Sequence, residues 1–259
     1  MSCVDILVAA YFGVLSIDPA NPNDPKRDRL ILSKGHAASA LYAVLAERGF
    51  FPHEWPGNLG HQRRLLAEQP APRCAPGVEA ATGSLGHGLP LGVGMALAGR
   101  IQQRGYRVVV VISDGECNEG TVWESAMFAP AQGLSNLTVI VDYNKWQATG
   151  RSDEIMALAP LATKFEAFGW RTIEVDGHDI GELQKQLRIA DRGSRIEMQA
   201  AAASSIPQSA IRNPQSPTAI IAHTTKGKGV SFMEDDNNWH YRIPNDRELA
   251  DALTELAAP

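Results

Sequence analysis

The chain has 259 residues, 44% hydrophobic and 20% charged, which is ordinary globular chemistry with enough length for one large buried core. Lys plus Arg number 24 against 29 Asp plus Glu, a formal net charge of −5, so the basic footprint of a nucleic-acid-binding protein is absent. Three cysteines (Cys3, Cys74, Cys117) match no disulfide framework or paired zinc knuckle, and neither an apolar run of membrane-spanning length nor an export signal is present, so a reduced, cytoplasmic protein with no nucleic-acid or membrane partner is expected.

The apolar stretch Val4 to Leu15 predicts a first helix, with Ser2 placed to cap it. Residues 17–29 (IDPANPNDPKRDR) hold three prolines among turn formers and predict a loop. A helix is expected from Ala37 to Arg48, after the segment Leu30-Ile31-Leu32-Ser33-Lys34-Gly35-His36. Residues 50–78, rich in Pro, Gly and Arg, predict a second irregular stretch. From Ala80 a Gly-rich run leads into a small-residue helix over Leu89 to Gln103.

Four β-branched runs follow: Arg107 to Ser113, Leu137 to Tyr143, Trp170 to Val175 and Thr218 to His223. Continuous apolar runs of this kind predict strands covered on both faces, hence parallel. Helices are expected between them, over Thr121 to Gln132, Leu158 to Phe168 and Ile180 to Ile189. Alternating strand and helix predict an α/β fold with a doubly wound, mostly parallel sheet flanked by helices. Residues 191–217, rich in Ala, Ser and Pro, read as a surface excursion of one domain that spans 1–259.

In open α/β sheets, ligands bind beyond the carboxyl ends of the strands. Two strands here end in polar signatures, Ser113-Asp114-Gly115-Glu116 and Asp142-Tyr143-Asn144-Lys145-Trp146. If those strands are neighbours, Asp114 and Asn144 share a crevice, and their oxygens suit Mg²⁺ or Ca²⁺. Gly115 and Gly120 admit a diphosphate close to the backbone, and the helix start near Thr121 favours negative charge. An Asp-Gly after a strand is also an ordinary turn, and Asn144 an ordinary cap, so spacing alone leaves both readings open. A dinucleotide fingerprint and a Walker A motif are both absent.

A set of ordered motifs spans nearly the whole chain. It comprises Leu32-Ser33-Lys34-Gly35-His36-Ala37, residues 76–88 (PGVEAATGSLGHG), residues 113–120 (SDGECNEG) and Val141-Asp142-Tyr143-Asn144-Lys145. It continues through Phe168-Gly169-Trp170, Val175-Asp176-Gly177-His178-Asp179 and residues 223–230 (HTTKGKGV). With these motifs the sequence resembles the N-terminal, thiamine diphosphate-binding half of transketolase. The resemblance implies the diphosphate-binding domain of that fold. It also implies two-carbon ketol transfer between sugars, with sugar phosphates the expected class. By this resemblance Asp114 and Asn144 are side-chain ligands of Mg²⁺ or Ca²⁺, completed by the carbonyl of Trp146. Gly115 and Glu116 contact the diphosphate or backbone, and Gly83 and Leu85 approach the aminopyrimidine. His36 and His87 line the cofactor and carry catalytic roles, while His223 and Lys226 border the substrate channel. Trp123, Phe128 and Trp170 read as packing and His178 as structural.

The sequence departs from the family pattern in four places. It begins at the point where the family has already supplied a His-x-Gly-Gly segment. Gln69 stands where a histidine is usual, Ser113 replaces the first glycine of the metal motif, and His240-Tyr241-Arg242-Ile243-Pro244 replaces a more histidine-rich closing motif. No strand-end Glu can be assigned to activate the aminopyrimidine. A separate C-terminal, pyrimidine-domain subunit is therefore expected to supply that glutamate, in a heterodimer or heterotetramer. The alternatives are the α subunit of a 2-oxo acid dehydrogenase E1 component, and a truncated relative that assembles without turnover.

Overall fold

The computed structural model describes residues 1–56, 66–72, 74–203 and 216–257, with 192–203 described by their backbone alone. A five-stranded sheet forms the centre, in the order β1-β2-β3-β5-β4, and every pairing is parallel. The strands are β1 (Arg29–Leu32), β2 (Val108–Ser113), β3 (Leu137–Tyr143), β4 (Arg171–Asp176) and β5 (Thr218–His223). The longer helices are α1 (Val4–Gly13), α2 (Ala38–Glu47), α3 (Gly88–Ile101), α4 (Gly120–Ala131), α6 (Leu161–Ala167), α7 (Ile180–Ala203) and α8 (Asp246–Ala257), and a single turn, α5, covers Ser152–Ile155. Among the described residues no helix is long and apolar enough to cross a membrane.

The doubly wound arrangement follows from the period-two alternation of the central strands. Val109 and Val111 of β2, Ile140 of β3 and Ile220 of β5 face a layer built on Ile6, Leu7 and Ala10 of α1, Tyr42 and Leu45 of α2, and Leu183 of α7. Val108, Val110 and Ile112, with Val139, Val141 and Ile221, face the opposite layer of Leu89 and Val93 (α3), Val122 and Ala126 (α4) and Phe165 (α6). Strands buried on both faces read as unbroken apolar runs, and each fully buried Val, Leu or Ile contributes about 1.5–3 kcal/mol. At the edge, β4 buries only Val175 and leaves Arg171, Glu174 and Asp176 exposed. Trp170 packs edge-on to Phe165 and donates its indole N–H to the Ala126 carbonyl at 2.7 Å, as expected of a packing residue.

Several elements differ from the sequence reading. Arg29–Leu32 is a strand pairing with β2, where the sequence predicts none; only Leu30, Ile31 and Leu32 of it are buried. α7 runs on past Ile189 to Ala203, and the rest of the expected excursion, 204–215, lies outside the described residues. α5 and α8 have no counterpart in the sequence reading. The expected cap at Ser2 does not form: Cys3 occupies the N-cap position without a side-chain bond, and the Ser2 hydroxyl is used elsewhere.

The registers Ser113↔Asp142 and Tyr143↔His223 bring the C-terminal ends of β2, β3 and β5 to one edge of the sheet. Helix α3 approaches this sheet closely because Gly92 lacks a side chain; a Cβ there would lie 2.3 Å from Cγ2 of Val110. Gly92→Ala is expected to destabilise by about 1–3 kcal/mol through overpacking. Gly94→Ala, whose Cβ meets nothing within 4 Å, is expected to add about 0.5–1 kcal/mol. Urea midpoints of the two variants against the parent chain check both signs.

Candidate functional site

The β2 and β3 ends deliver Asp114 and Asn144 to adjacent positions, with the Asp114 N–H donating to the Asp142 carbonyl at 3.3 Å. Asp114 is fully buried. Its Oδ1 accepts the Gly115 N–H at 3.1 Å and its Oδ2 accepts the Ser152 hydroxyl at 2.8 Å. Ser152 reaches it because the chain reverses just after β3. Lys145 adopts a left-handed φ of 67°, Trp146 bridges Arg151, and the Ser152 N–H donates to the Lys145 carbonyl at 3.0 Å. Asn144 is held on both sides of its amide: Oδ1 accepts the Trp146 N–H at 2.9 Å and Nδ2 donates to the Ser2 hydroxyl at 3.3 Å. The Trp146 indole donates to Asp235 at 2.8 Å, and the Arg151 guanidinium lies 3.8 Å over its ring.

Glu116, also fully buried, points inward. Its Oε1 accepts the Gly86 N–H at 3.0 Å and the Ser33 hydroxyl, and its Oε2 accepts the Ser113 N–H at 2.9 Å. Of the two roles expected for it, the structure shows backbone contacts. It ties the β1 end, the β2 end and the Gly-rich loop into one wall. Gly83, at φ 125°, lies in that loop; a Cβ on Gly83 would meet the Gln69 amide oxygen at 2.0 Å, and one on Gly35 would meet the Gly83 backbone at 2.5 Å. Leu85 and His87 follow, and the exposed His87 ring donates from Nδ1 to the Leu85 carbonyl at 3.0 Å. A neutral His87 therefore keeps its Nε2 lone pair available.

Lys226 and Lys34 interact with Asp114, and His240 adjoins both lysines. Burial, then the neighbouring Lys34 ammonium, pulls the Lys226 amine down to about 8; its Nζ donates to Asn237 at 2.7 Å. His240 packs edge-on against the exposed His36, with ring centroids 5.6 Å apart. Burial, followed by the charges of Lys226, His36 and Lys34, lowers His240 to about 4, so it is a neutral imidazole at pH 7. His223 lies apart from this group, on the β4 side, where its Nε2 meets Glu174 at 2.7 Å. His178 is a brace. Its Nε2 accepts the Thr225 N–H at 2.8 Å, so its Nδ1–H donates to Asp5 at 2.7 Å, tying α1 to the chain after β5. The thiols of Cys3 and Cys117 are pushed up by burial, which suits packing and not nucleophilic attack.

Below the crevice lies a residue that sequence reasoning missed. Asp142 is fully buried and accepts from the Ser2 hydroxyl at 2.7 Å, from the Lys34 ammonium and from the Thr224 hydroxyl. Burial alone would raise its carboxyl, but Lys34 with the two hydroxyls outweighs burial and holds it below the usual range. A carboxylate inside an otherwise β-branched strand was the available signal, since such a charge requires partners. Ser152 and Ser2 carried no signal, because they meet the site from 38 and 142 residues away.

Three features fit an anionic cofactor with a hard cation. Among the described residues, two buried side-chain polar atoms lack a partner, Gln147 Nε2 and Thr82 Oγ1. The Gln147 side chain lies over Gly115, 3.3 Å from where a Cβ would stand, and Thr82 adjoins Gly83. The donor oxygens of Asp114 and Asn144 suit Mg²⁺ or Ca²⁺. No group of three His, Cys, Asp or Glu able to hold a metal occurs among the described residues, so a cation here needs backbone and ligand oxygens as well.

The sequence profile described as "Transketolase, thiamine diphosphate binding domain" matches residues 1–252. The chain belongs to the transketolase family. It is 35% identical over 257 residues to one of the subunits of the apulose-4-phosphate transketolase of Phocaeicola vulgatus, covering 99% of this chain and 84% of that protein. It is 40% identical over 234 residues to a 6-deoxy-6-sulfo-D-fructose transketolase subunit of a Clostridium species, covering 90% of this chain and 78% of that one. The transketolase of Campylobacter jejuni superimposes with a TM-score of 0.81 at 26% identity, over 97% of this chain and 37% of its own length. The family thus includes proteins of nearly this length, named as subunits, and longer transketolases of which this chain spans just over a third.

Within this family site, Asp114 is the one buried carboxylate whose pairing is incomplete. Burial, with the charge of Asp142, raises it to about 6, against the hydrogen bonds from Ser152 and Gly115 and the charge of Lys34. A carboxyl raised on folding contributes its stability below the unfolded value of 3.8 and loses it as pH rises through about 6. Asp114→Asn is therefore expected to stabilise the ligand-free chain by about 1–1.5 kcal/mol at pH 8 relative to its effect at pH 5. Chemical denaturation of both proteins at the two pH values measures this.

Proposed function

We propose that this chain is the thiamine diphosphate-binding subunit of a transketolase divided between two polypeptides. In this reading it transfers a two-carbon ketol unit between sugars that carry an anionic group, sugar phosphates first among them. The observation that carries the reading is the delivery of Asp114 and Asn144 to adjacent strand ends, with Lys226 interacting with Asp114 and the partnerless Nε2 of Gln147 on the side chain that covers Gly115. Subunits named for apulose 4-phosphate and 6-deoxy-6-sulfo-D-fructose among the relatives support both the division and the anionic sugar.

When bound, thiamine diphosphate supplies a nucleophilic ring carbon and an electron sink. In this chain Asp114, Asn144 and the Trp146 carbonyl hold Mg²⁺. Gly115, Gln147 and Lys226 hold the diphosphate oxygens. Gly83 and Leu85 bear on the aminopyrimidine, and Thr82 offers its unused hydroxyl beside them. Neutral His240, with His36 and His87, lines the sugar side and exchanges hydrogen bonds with hydroxyl groups without adding charge. His223 is kept for the outer channel, given its engagement with Glu174.

A partner fits because the buried glutamate of the crevice is already committed. Glu116 commits both oxygens to Ser33, Gly86 and Ser113, and Glu174 is joined to His223 at the sheet edge. A C-terminal, pyrimidine-domain subunit supplies that group in a heteromer. Exposed Leu91 on α3 and Met127 and Phe128 on α4, the last in place of the packing role expected of it, offer apolar surface for such an assembly.

Calorimetric titration of thiamine diphosphate with Mg²⁺ is expected to show weak or no binding to this chain alone and tight binding to its complex with the pyrimidine-domain subunit. Asp114→Ala is expected to lower turnover by at least about 10³-fold, the size of losing a principal electrostatic element of a site, while the two subunits still co-elute. Turnover that survives Asp114→Ala would refute the assignment. An assembly that forms and binds no cofactor would mark a non-catalytic relative.

A further inference from the structure

We propose that Asp142 is a positioning residue which, through the Ser2 hydroxyl, fixes the direction of the Asn144 amide and so presents its oxygen to the cation. This rests on the cofactor reading given above. The geometry is a short relay inside the protein. Asn144 Nδ2 donates to Ser2 Oγ at 3.3 Å, and Ser2 Oγ donates to Asp142 Oδ2 at 2.7 Å. The three residues are 7%, 5% and 0% exposed, so water does not compete for these bonds.

The direction follows from counting protons. A hydroxyl has one proton and can accept as well. An ionised carboxylate only accepts, so the Ser2 proton is committed to Asp142. Ser2 can then only accept from Asn144, which must turn its N–H toward Ser2 and its oxygen the other way. That oxygen already accepts the Trp146 N–H at 2.9 Å, which agrees with the same orientation and leaves a lone pair for a cation. Reversing the amide would set its oxygen against the Ser2 lone pairs and two N–H groups against each other at Trp146.

Asp142 stays an acceptor because of its other partners. Lys34 donates to the Oδ2 that Ser2 also uses, and Thr224 donates to Oδ1. Lys34 lies two residues before His36, and Thr224 two residues before Lys226. The carboxylate that sets the amide therefore also anchors the two segments carrying nitrogen bases into the crevice. Other titratable groups facing it are Asp114 from the β2 end, the Cys3 thiol and the amine of Met1.

The test uses Ser2→Ala, which removes the relay and leaves the Asp142–Lys34 pair, so folding is retained. Ser2→Thr keeps the hydroxyl. Asn144 side-chain amide protons, observed by NMR in the ligand-free chain, are expected to show contacts to the Ser2 β protons in the parent. In Ser2→Ala the amide proton that faces position 2 should shift toward its value in a solvated asparagine side chain. In the complex with the partner subunit, Mg²⁺ affinity measured by calorimetry at saturating thiamine diphosphate is expected to fall about tenfold in Ser2→Ala and to return in Ser2→Thr. Equal Mg²⁺ affinity in the parent and Ser2→Ala, with cofactor bound in both, overturns the relay and leaves the cofactor reading intact. A parent complex that binds neither Mg²⁺ nor thiamine diphosphate overturns both. Loss in Ser2→Ala without rescue in Ser2→Thr assigns the effect to packing and overturns the relay.

Discussion

A carboxylate removed completely from water is the constraint around which this molecule is arranged. Asp142 lies in the middle strand of the sheet, and burying an unpaired charge there would cost more than the net stability of an ordinary fold can offset. The chain matches it with one ammonium and two hydroxyls, brought from the β1 end, the β5 end and the start of α1. Breaking such a pair by removing one member costs about 3–5 kcal/mol. Each partner is also a short step from a residue of the crevice. The electrostatic requirement of one buried group thereby fixes the relative placement of segments separated by up to 140 residues.

Its neighbour Asp114 shows the complementary condition. Both carboxylates are fully buried and stand at the ends of adjacent strands. Asp142 has a cation of its own and is held low; Asp114 has a hydroxyl and one N–H and is pushed up to about 6. The same burial yields a settled structural charge in one case and a carboxyl with few partners in the other. Partnerless polar atoms at Gln147 and Thr82 extend that pattern around the crevice. Functional sites characteristically hold such uncompensated polar groups, offset by the surrounding packing.

Much of this was legible before the structure. The runs at residues 108–112 and 137–141 read as covered strands, because residues so rich in Val and Ile leave no polar face for water. The placement of Asp114 and Asn144 after two neighbouring strands was legible, while spacing alone left a turn and a cap as open readings of the two residues. The strand Arg29–Leu32 was not, since four residues between a proline-rich loop and a Gly-His turn carry too little periodicity. α8 was missed because it contributes only Ala252 to the interior and is otherwise amphipathic surface. Ser2 was misread as a cap because local pattern favours capping at that position, whereas the uncompensated charge of Asp142 claims the hydroxyl.

The sequence by itself determined the layer architecture, the sheet edge at which the polar strand ends meet and the family to which the chain belongs. These depend on local periodicity and on motifs that occupy consecutive positions. Only the tertiary structure decided that Glu116 turns inward, that His223 leaves the crevice for Glu174, and that Ser2, Lys34, Ser152 and Thr224 meet the two aspartates. Those contacts join residues far apart in the chain. Their partners are chosen by which buried charge remains to be neutralised once the sheet has closed, and no local pattern records that choice.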